Sequence, residues 1–366
     1  MSRYLIILPL LWHTTLLTGQ QLVPFTMPDG RFVVWDEGSF QVLAEQAPGT
    51  IHAGPGPLVL VNEAGELIAL DEDLRKVQVL QKAGADSVLR AGRNLVWRVG
   101  DSLKVFSGGG IHVLTPEVGR YTVSDSLVAF HDRADGRLKV WWKAGTHVVA
   151  DVGREGGRPQ WTNGSNTLLF HDRAAGRLFL FHRGRLKVVC DSCSNARVSS
   201  GGDLVAFVDG EDRFVVWDRG ARQVLAEAPP RQFMAGPGLV AFTDLAGRMR
   251  VYRAGRVTTL TDTMPSTFTV RDSLLLFVQR GNWYVEENGE PVLLSEHIPE
   301  RWQVRGDVVT WLDLDRGVRR YRRRKEQRLT RDGAYPWFEV HGDAVLYPGH
   351  QGERNVWYGG RTDVFY

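Results

Sequence analysis

The sequence predicts an all-β protein built from ten repeats of about 36 residues, each holding four short antiparallel strands. Three observations predict this class. Apolar and β-branched residues alternate in short runs, tight turns with Gly or Asp separate the runs, and the same unit recurs along the 366 residues. A period of this length without a helical pattern is typical of stacked β units.

The repeat is clearest at residues 125–142, DSLVAFHDRADGRLKVWW, where an apolar strand, an Asp-Gly turn and a second, aromatic-ended strand follow one another. The last aromatic or apolar residue of the first of these strands marks each unit, and successive markers are 33 to 40 residues apart. The ten markers are Phe25, Leu60, Trp97, Phe130, Phe170, Phe207, Phe242, Phe277, Trp311 and Tyr347.

Two further strands complete each unit. One follows the aromatic-ended strand, and a short one precedes the marker strand, with an apolar residue nine positions before nine of the ten markers, as at Tyr121 and Trp161. Polar neighbours such as Thr122 and Thr162 give the alternation of a strand. Four short antiparallel strands bury both faces only when units stack around an axis, so the sequence predicts a β-propeller with ten blades.

The blades also repeat at a longer period. RFVVWDEGSFQVLAEQAP at 31–48 matches RFVVWDRGARQVLAEAPP at 213–230, which lies five blades later. We therefore expect two homologous five-blade halves, at residues 20–195 and 196–366. They could form one ring of ten blades or two five-bladed discs, and the short junction near 190–203 favours one ring.

The N-terminus predicts export. Arg3 precedes an apolar stretch, residues 4–12, and small or polar residues follow to Gly19, which is the pattern of a signal peptide over residues 1–19. The stretch is too short to span a bilayer, and no later run is long enough for a transmembrane helix. We therefore expect a periplasmic or secreted protein. In that compartment the only two cysteines, Cys190 and Cys193, are expected to form a small loop disulfide.

The blade unit resembles periplasmic TolB-like and WD-repeat-type propellers, in which a strand such as DSLVAF is followed by a turn and a strand such as RLKVWW. The WSPDG turn of TolB-type blades is replaced here by WTNGS, VSDS, VRGD and VHGD, and Trp-Asp pairs occur only at Trp35-Asp36 and Trp217-Asp218. The pattern is closer to secreted propellers of the Bacteroidota. This resemblance implies the fold and export, and it implies no catalytic residue.

The net charge and the motifs argue against several classes of function. A net charge of +3 with interspersed signs argues against a nucleic-acid binder. No cofactor or metal motif emerges: the turn at His131, Asp132 and Asp135 is not a calcium loop, because Arg133 and Ala134 interrupt the oxygen spacing. Its sister turn carries Ala175 in place of Asp135, which favours a structural turn.

One basic run stands out in the ninth unit. It surrounds Tyr321 and comprises Arg319, Arg320, Arg322, Arg323, Arg324 and Lys325, with Arg328 following. It predicts either a contact with an anionic lipid, lipopolysaccharide or polysaccharide surface, or a solvated hairpin whose charge prevents edge pairing.

The sequence favours a non-enzymatic binding or scaffold module whose protein or glycan ligand meets the mouth of the channel. The candidate ligand-binding residues lie on or beside the innermost strands, and are His52, Arg90, Asn163, Arg197, Arg301, Trp337 and Glu339. The alternative is an extracytoplasmic glycan hydrolase with acids contributed by separate blades. Glu339 is the only acid expected on an innermost strand, which counts against the hydrolase.

Overall fold

The computed structural model describes residues 21–71, 74, 76–154, 160–193, 197–330 and 335–366. The described residues form ten antiparallel sheets, one for each predicted repeat, and contain no helix. We number these sheets blades 1 to 10 in chain order. Nine have four strands and blade 1 has three. The first strand that the repeat predicts for blade 1, and the predicted signal peptide, lie outside the described residues.

The first strands of the blades lie nearest the ring axis, because first strands of neighbouring blades contact one another. They are β4 (Thr50–His52), β8 (Ser87–Ala91), β12 (Val118–Val123), β16 (Gln160–Asn163), β20 (Val198–Gly201), β24 (Gln232–Gly236), β28 (Thr267–Arg271), β32 (Trp302–Arg305) and β36 (Glu339–His341).

The second strands contain the marker residues and are buried on both faces, which explains their continuous apolar runs. They are β1 (Leu22–Thr26), β5 (Leu58–Val61), β9 (Asn94–Val99), β13 (Leu127–Asp132), β17 (Thr167–Asp172), β21 (Leu204–Val208), β25 (Leu239–Thr243), β29 (Leu274–Gln279), β33 (Val308–Leu312) and β37 (Ala344–Pro348).

The third strands also contribute to the core. They are β2 (Phe32–Asp36), β6 (Leu67–Leu70), β10 (Ser102–Ser107), β14 (Arg137–Trp142), β18 (Arg177–His182), β22 (Phe214–Asp218), β26 (Met249–Arg253), β30 (Asn282–Glu287), β34 (Val318–Arg322) and β38 (Arg354–Tyr358). In eight blades the pairing of the third strand with the fourth shifts register near its start, a bulge that increases the twist of the blade.

The fourth strands form the outer edge and are largely exposed. They are β3 (Ser39–Ala44), β7 (Val77–Gln81), β11 (Gly110–Thr115), β15 (Gly145–Asp151), β19 (Arg185–Cys190), β23 (Ala221–Ala226), β27 (Arg256–Thr261), β31 (Glu290–Ser295), β35 (Lys325–Arg328) and β39 (Arg361–Phe365).

The blades close into one ring, as the sequence predicts. Blade 10 packs on blade 1: the Trp35 indole Nε1 donates a 3.0 Å hydrogen bond to Asp363, and the ring centroids of Trp35 and Tyr358 are 5.3 Å apart. Blade 5 packs on blade 6 through a core cluster that includes Leu169 and Phe207. Two separate discs would instead require blade 5 to close on blade 1, so the single ring is confirmed.

The two ends of the ring differ in what they present. Because successive strands are antiparallel, the turns between first and second strands lie at the same end as the turns between third and fourth strands. We call this end the turn face; in blade 4 it is formed by residues 124–126 and 143–144. The opposite end, the linker face, carries the turns between second and third strands and the links between blades.

Candidate functional site

The predicted ligand-binding residues lie near opposite ends of the channel. His52, Arg90 and Asn163 are in the later part of their first strands, toward the turn face. The other four lie at or just before the start of a first strand, toward the linker face; they are Arg197, Arg301, Trp337 and Glu339. The structure therefore does not bring the seven together into one site.

Arg90 contacts the neighbouring blade rather than open space. Its guanidinium donates 2.8 Å hydrogen bonds to the carbonyl oxygens of His52 and Pro57, and another to that of Pro55. Burial lowers the pKa of Arg90 to about 10. Burial also lowers the pKa of His52, and the nearby Arg90 charge adds to the effect. These contacts indicate that Arg90 joins blade 3 to blade 2.

Two arginines at the linker face make similar contacts between blades. Arg197 donates to the carbonyl oxygens of Pro230 at 2.5 Å and Arg231 at 3.2 Å, and Arg301 donates to that of Pro336 at 3.1 Å. Arg197 also lines a cavity of about 350 Å³ between the first strands of blades 6, 7 and 8.

Glu339, Trp337 and Asn163 have different surroundings. A hydrogen bond from His341 lowers the pKa of Glu339, against the opposing effect of burial. Trp337 is half-buried against the blade 1 and blade 10 core, with the guanidinium of Arg354 5.4 Å from its ring centroid. The side-chain amide of Asn163 is buried without a hydrogen-bond partner among the described residues.

A second and larger cavity, of about 730 Å³, lies on the turn face. Its lining comes from six consecutive blades, 4 to 9, and blades 4 and 9 are opposite each other in a ring of ten. The cavity therefore lies at the central opening of the ring. We call it the mouth cavity; it is lined by Asp125, Ser165, Asn166, Gly202, Asp203, Leu204, Asp218, Arg219, Pro237, Gly238, Ala254, Asp272, Ser273 and Gly306.

Eight of the fourteen lining residues are polar or charged, and four of these are aspartates, at positions 125, 203, 218 and 272. Two of these are paired with cations: Asp203 lies 3.1 Å from both His182 Nε2 and Arg183 Nη2, and Asp218 lies 3.0 Å from Arg219 Nε. The other two accept hydrogen bonds from neutral donors, Asp125 from Ser165 at 3.2 Å and Asp272 from the Gly306 amide at 2.6 Å.

None of these lining residues is among the sequence candidates, because those candidates lie on or beside the first strands. The signal was present in the turns. The motifs SDS at 124–126, GGD at 201–203, RDS at 271–273, RGD at 305–307 and HGD at 341–343 place an aspartate in the first turn of five blades. Comparison of equivalent turns, rather than equivalent strands, would have found them.

The basic run lies on the β34–β35 hairpin, and its arginines contact carboxylates. Arg322 pairs with Asp307 at 2.9 Å and with Asp343 at 3.0 Å. Arg323 pairs with Asp307, Arg324 with Glu290, Arg319 with Asp313 and Glu326, and Arg320 lies 4.0 Å from Asp343. Lys325 is exposed at the start of β35. This neutralisation favours the interpretation of the run as a structural hairpin.

Arg320 occupies a position that is apolar in every other blade. Its cross-strand pair is Thr310, whereas the equivalent pairs in the other nine blades are apolar, as in Ala129 with Val140. Arg320 is 9% exposed, and burial lowers its pKa despite the nearby Asp343. Its guanidinium lies 4.7 Å from the Trp357 ring centroid. This burial of a charge without a close ion pair is unfavourable.

We expect Arg320→Leu to raise the free energy of unfolding by about 1 kcal/mol, because an apolar side chain replaces a buried charge at a position that is apolar in the other blades. Asp343 stays paired, since Arg322 remains 3.0 Å away. Urea denaturation followed by tryptophan fluorescence measures the change. Arg322→Leu is the control: it removes the two ion pairs that Arg322 makes, with Asp307 and with Asp343, and should lower stability. A loss of stability in Arg320→Leu would contradict this account.

The contacts of the two cysteines and of the turn at His131 and Asp132 stabilise the fold. Cys190 and Cys193 are joined by a disulfide at the junction of blades 5 and 6, and the Cys193 amide donates to the Gly176 carbonyl at 2.7 Å. Asp132 contacts Lys139 at 2.7 Å and the Thr115 hydroxyl at 2.6 Å. Burial opposes ionisation of Asp132, but these donors outweigh it and lower its pKa. Within the described residues, no cluster of His, Cys, Asp or Glu is arranged to hold a metal ion.

Comparison with known proteins agrees with this architecture. A family profile described as a 10-bladed beta propeller domain matches residues 16–362. No curated protein matches the chain. Among the described residues, no helix is long and apolar enough to cross a membrane.

Three similar solved structures have low sequence identity to this chain. The computationally designed Ika8 protein is 13% identical with a TM-score of 0.37, covering 93% of this chain and all of the other. PorZ, from the type-IX secretion system of Porphyromonas gingivalis, is 10% identical with a TM-score of 0.30, covering 95% and 59%. BamB from Moraxella catarrhalis is 14% identical with a TM-score of 0.31, covering 71% and 88%. With the family profile matching nearly its whole length, the chain belongs to the 10-bladed beta propeller domain family.

Proposed function

We propose that this chain is an exported, non-enzymatic binding or scaffold module that holds a protein or glycan ligand at the mouth cavity. The observation that carries the proposal is the cavity itself: about 730 Å³ at the central opening, lined by six blades. Volumes of this size are typical of ligand sites. Because many blades contribute one or two short turns each, the ring can present a polar surface without disturbing its core.

Export is supported by the N-terminal sequence pattern and by the disulfide between Cys190 and Cys193, since disulfides persist in oxidising compartments. We accordingly propose a periplasmic or secreted location. The blade pattern with VSDSLVAF-type units supports a place among secreted propellers of the Bacteroidota. The two homologous halves, which we propose at residues 20–195 and 196–366, would then contribute five blades each to the one ring.

A photo-crosslinking experiment tests the location of the ligand. A benzophenone amino acid replaces Ser273, which lines the mouth cavity, in cells that naturally produce the protein. The matched control replaces Glu296, an exposed residue at the linker face. We expect a discrete adduct, identified by mass spectrometry as protein or glycan, from position 273 and none from position 296. Equal adducts at both positions, or none at 273, would overturn the proposal.

The glycan hydrolase remains a second candidate because of one observation. Asp125, Asp203 and Asp272 come from blades 4, 6 and 8 and line the same cavity, which matches acids contributed by separate blades. Glycoside hydrolysis needs two carboxyl groups about 5–10 Å apart, one of which is neutral and donates a proton. Asp203 instead pairs with Arg183, and Asp218 pairs with Arg219. These ion pairs favour the ionised form of both carboxyl groups. Release of reducing sugar from a glycan panel, abolished by Asp125→Asn, would favour the hydrolase.

A further inference from the structure

The turn face carries two concentric sets of opposite charge. The first turns, nearest the axis, present five aspartates, which we call the inner acidic ring: Asp125, Asp203, Asp272, Asp307 and Asp343. The third turns, farther out, present exposed cations, which we call the outer basic ring: Lys143, Arg183, Arg219 and Arg323. Arg219 also lines the mouth cavity, where it pairs with Asp218. In these blades, negative charge therefore lies at the first turns and positive charge at the third turns.

The charges of the two rings partly neutralise each other, and the charge that remains near the ring axis is negative. Arg183 pairs with Asp203 at 3.1 Å, and Arg323 pairs with Asp307 at 2.9 Å. The carboxylates of Asp125 and Asp272 receive hydrogen bonds from Ser165 and the Gly306 amide, and no salt bridge reaches either carboxylate in the part of the chain that the structure describes. Uncompensated negative charge therefore faces the mouth cavity from blades 4 and 8.

We propose that the turn face is a protein-docking surface, and that the mouth cavity receives a protruding Lys- or Arg-rich segment of a partner protein. A cationic segment complements the inner acidic ring, and acidic groups flanking it would meet the outer basic ring. Such alternation of sign fixes orientation and speeds association. The inference rests on the proposed function, whose cavity it uses, and adds the chemistry of the ligand.

The charge of the whole chain sharpens the inference. Its net charge is +3, so the molecule as a whole does not attract a basic peptide. Binding of such a peptide must then come from a local surface. Salt should weaken it, because the charges at the mouth are partly exposed and are screened within about 10 Å at 0.1 M salt.

The test is fluorescence anisotropy with a labelled ten-residue lysine-rich peptide. The expected result is saturable binding that weakens between 50 and 200 mM salt, about tenfold weaker in Asp125→Asn/Asp272→Asn. Both asparagines keep an acceptor for the Ser165 and Gly306 donors. The matched control is Asp262→Asn/Glu296→Gln, which removes two exposed carboxylates at the linker face and should leave binding unchanged.

A further probe separates the possible ligands. A glutamate-rich peptide of the same length should not bind, because the carboxylates that face the mouth cavity repel it. Equal binding of the acidic peptide, or equal loss of affinity in the control variant, would overturn the inference. If adducts form at position 273 but the lysine-rich peptide does not bind, the proposed function stands and this inference alone fails.

Discussion

Gly201→Ala is expected to lower the free energy of unfolding by about 3 kcal/mol, because a methyl group at this position has nowhere to go. A Cβ on Gly201 would lie 2.3 Å from the Cα of Gly236 and 2.4 Å from its amide nitrogen. The obstacle is the backbone of the next blade, so no side-chain rotation can relieve it. The first strands of blades 6 and 7 would have to separate at the turn-face end of the channel.

Gly49→Ala is the matched control for this variant. A Cβ on Gly49 would meet only the Val61 carbonyl oxygen, at 3.7 Å, which is an ordinary contact. Both glycines lie in or beside a first strand, so a general effect of alanine on the backbone would appear in both. Urea denaturation of the two variants measures the difference. A Gly201→Ala protein as stable as Gly49→Ala would show that these first strands are not in close contact.

The second strands are the part of the fold that the sequence predicts well. The spacing of markers such as Phe130 and Phe207 predicts the second strands, because a position buried on both faces must be apolar in every blade. Both side chains are fully buried. The number of blades and the single ring follow from that spacing and from the short junction near 190–203. Packing of Leu169 with Phe207 across this junction is the physical reason that the ring does not divide.

The site could not be predicted to the same degree, for two reasons. Alternation along a first strand shows which side chains face a neighbouring blade, but it does not show which end of the channel is polar and open. Arg90 and Arg197 illustrate this, because both look like ligand contacts in the sequence and both bind carbonyl groups of a neighbouring blade. Asp203 and Asp272 lie in turns whose residues vary among blades, so each looks like ordinary turn chemistry until the ring brings them together.

The largest effect of a charge is expected at Arg253. Its guanidinium lies 2.7 Å from a carboxylate oxygen of Glu286, which is 1% exposed, and it also donates to the Ser273 carbonyl at 3.4 Å. The pair joins β26 of blade 7 to β30 of blade 8. Arg253→Met would leave the buried Glu286 carboxylate with the Gly289 amide, at 2.7 Å, as its donor. We expect the free energy of unfolding to fall by about 3 kcal/mol, since removal of one partner leaves a buried charge unpaired.

A double-mutant cycle separates the charge effect from lost packing. Glu286→Gln alone should cost less, about 1 kcal/mol, because Arg253 is partly exposed and keeps contact with water. In Arg253→Met/Glu286→Gln a neutral amide replaces the buried carboxylate, so no unpaired charge remains. The double variant should therefore be more stable than Arg253→Met alone. Strict additivity of the two single changes would contradict this. Because Arg253 also holds Ser273, Arg253→Met should weaken ligand adducts at the mouth cavity, and Glu286→Gln should leave them intact.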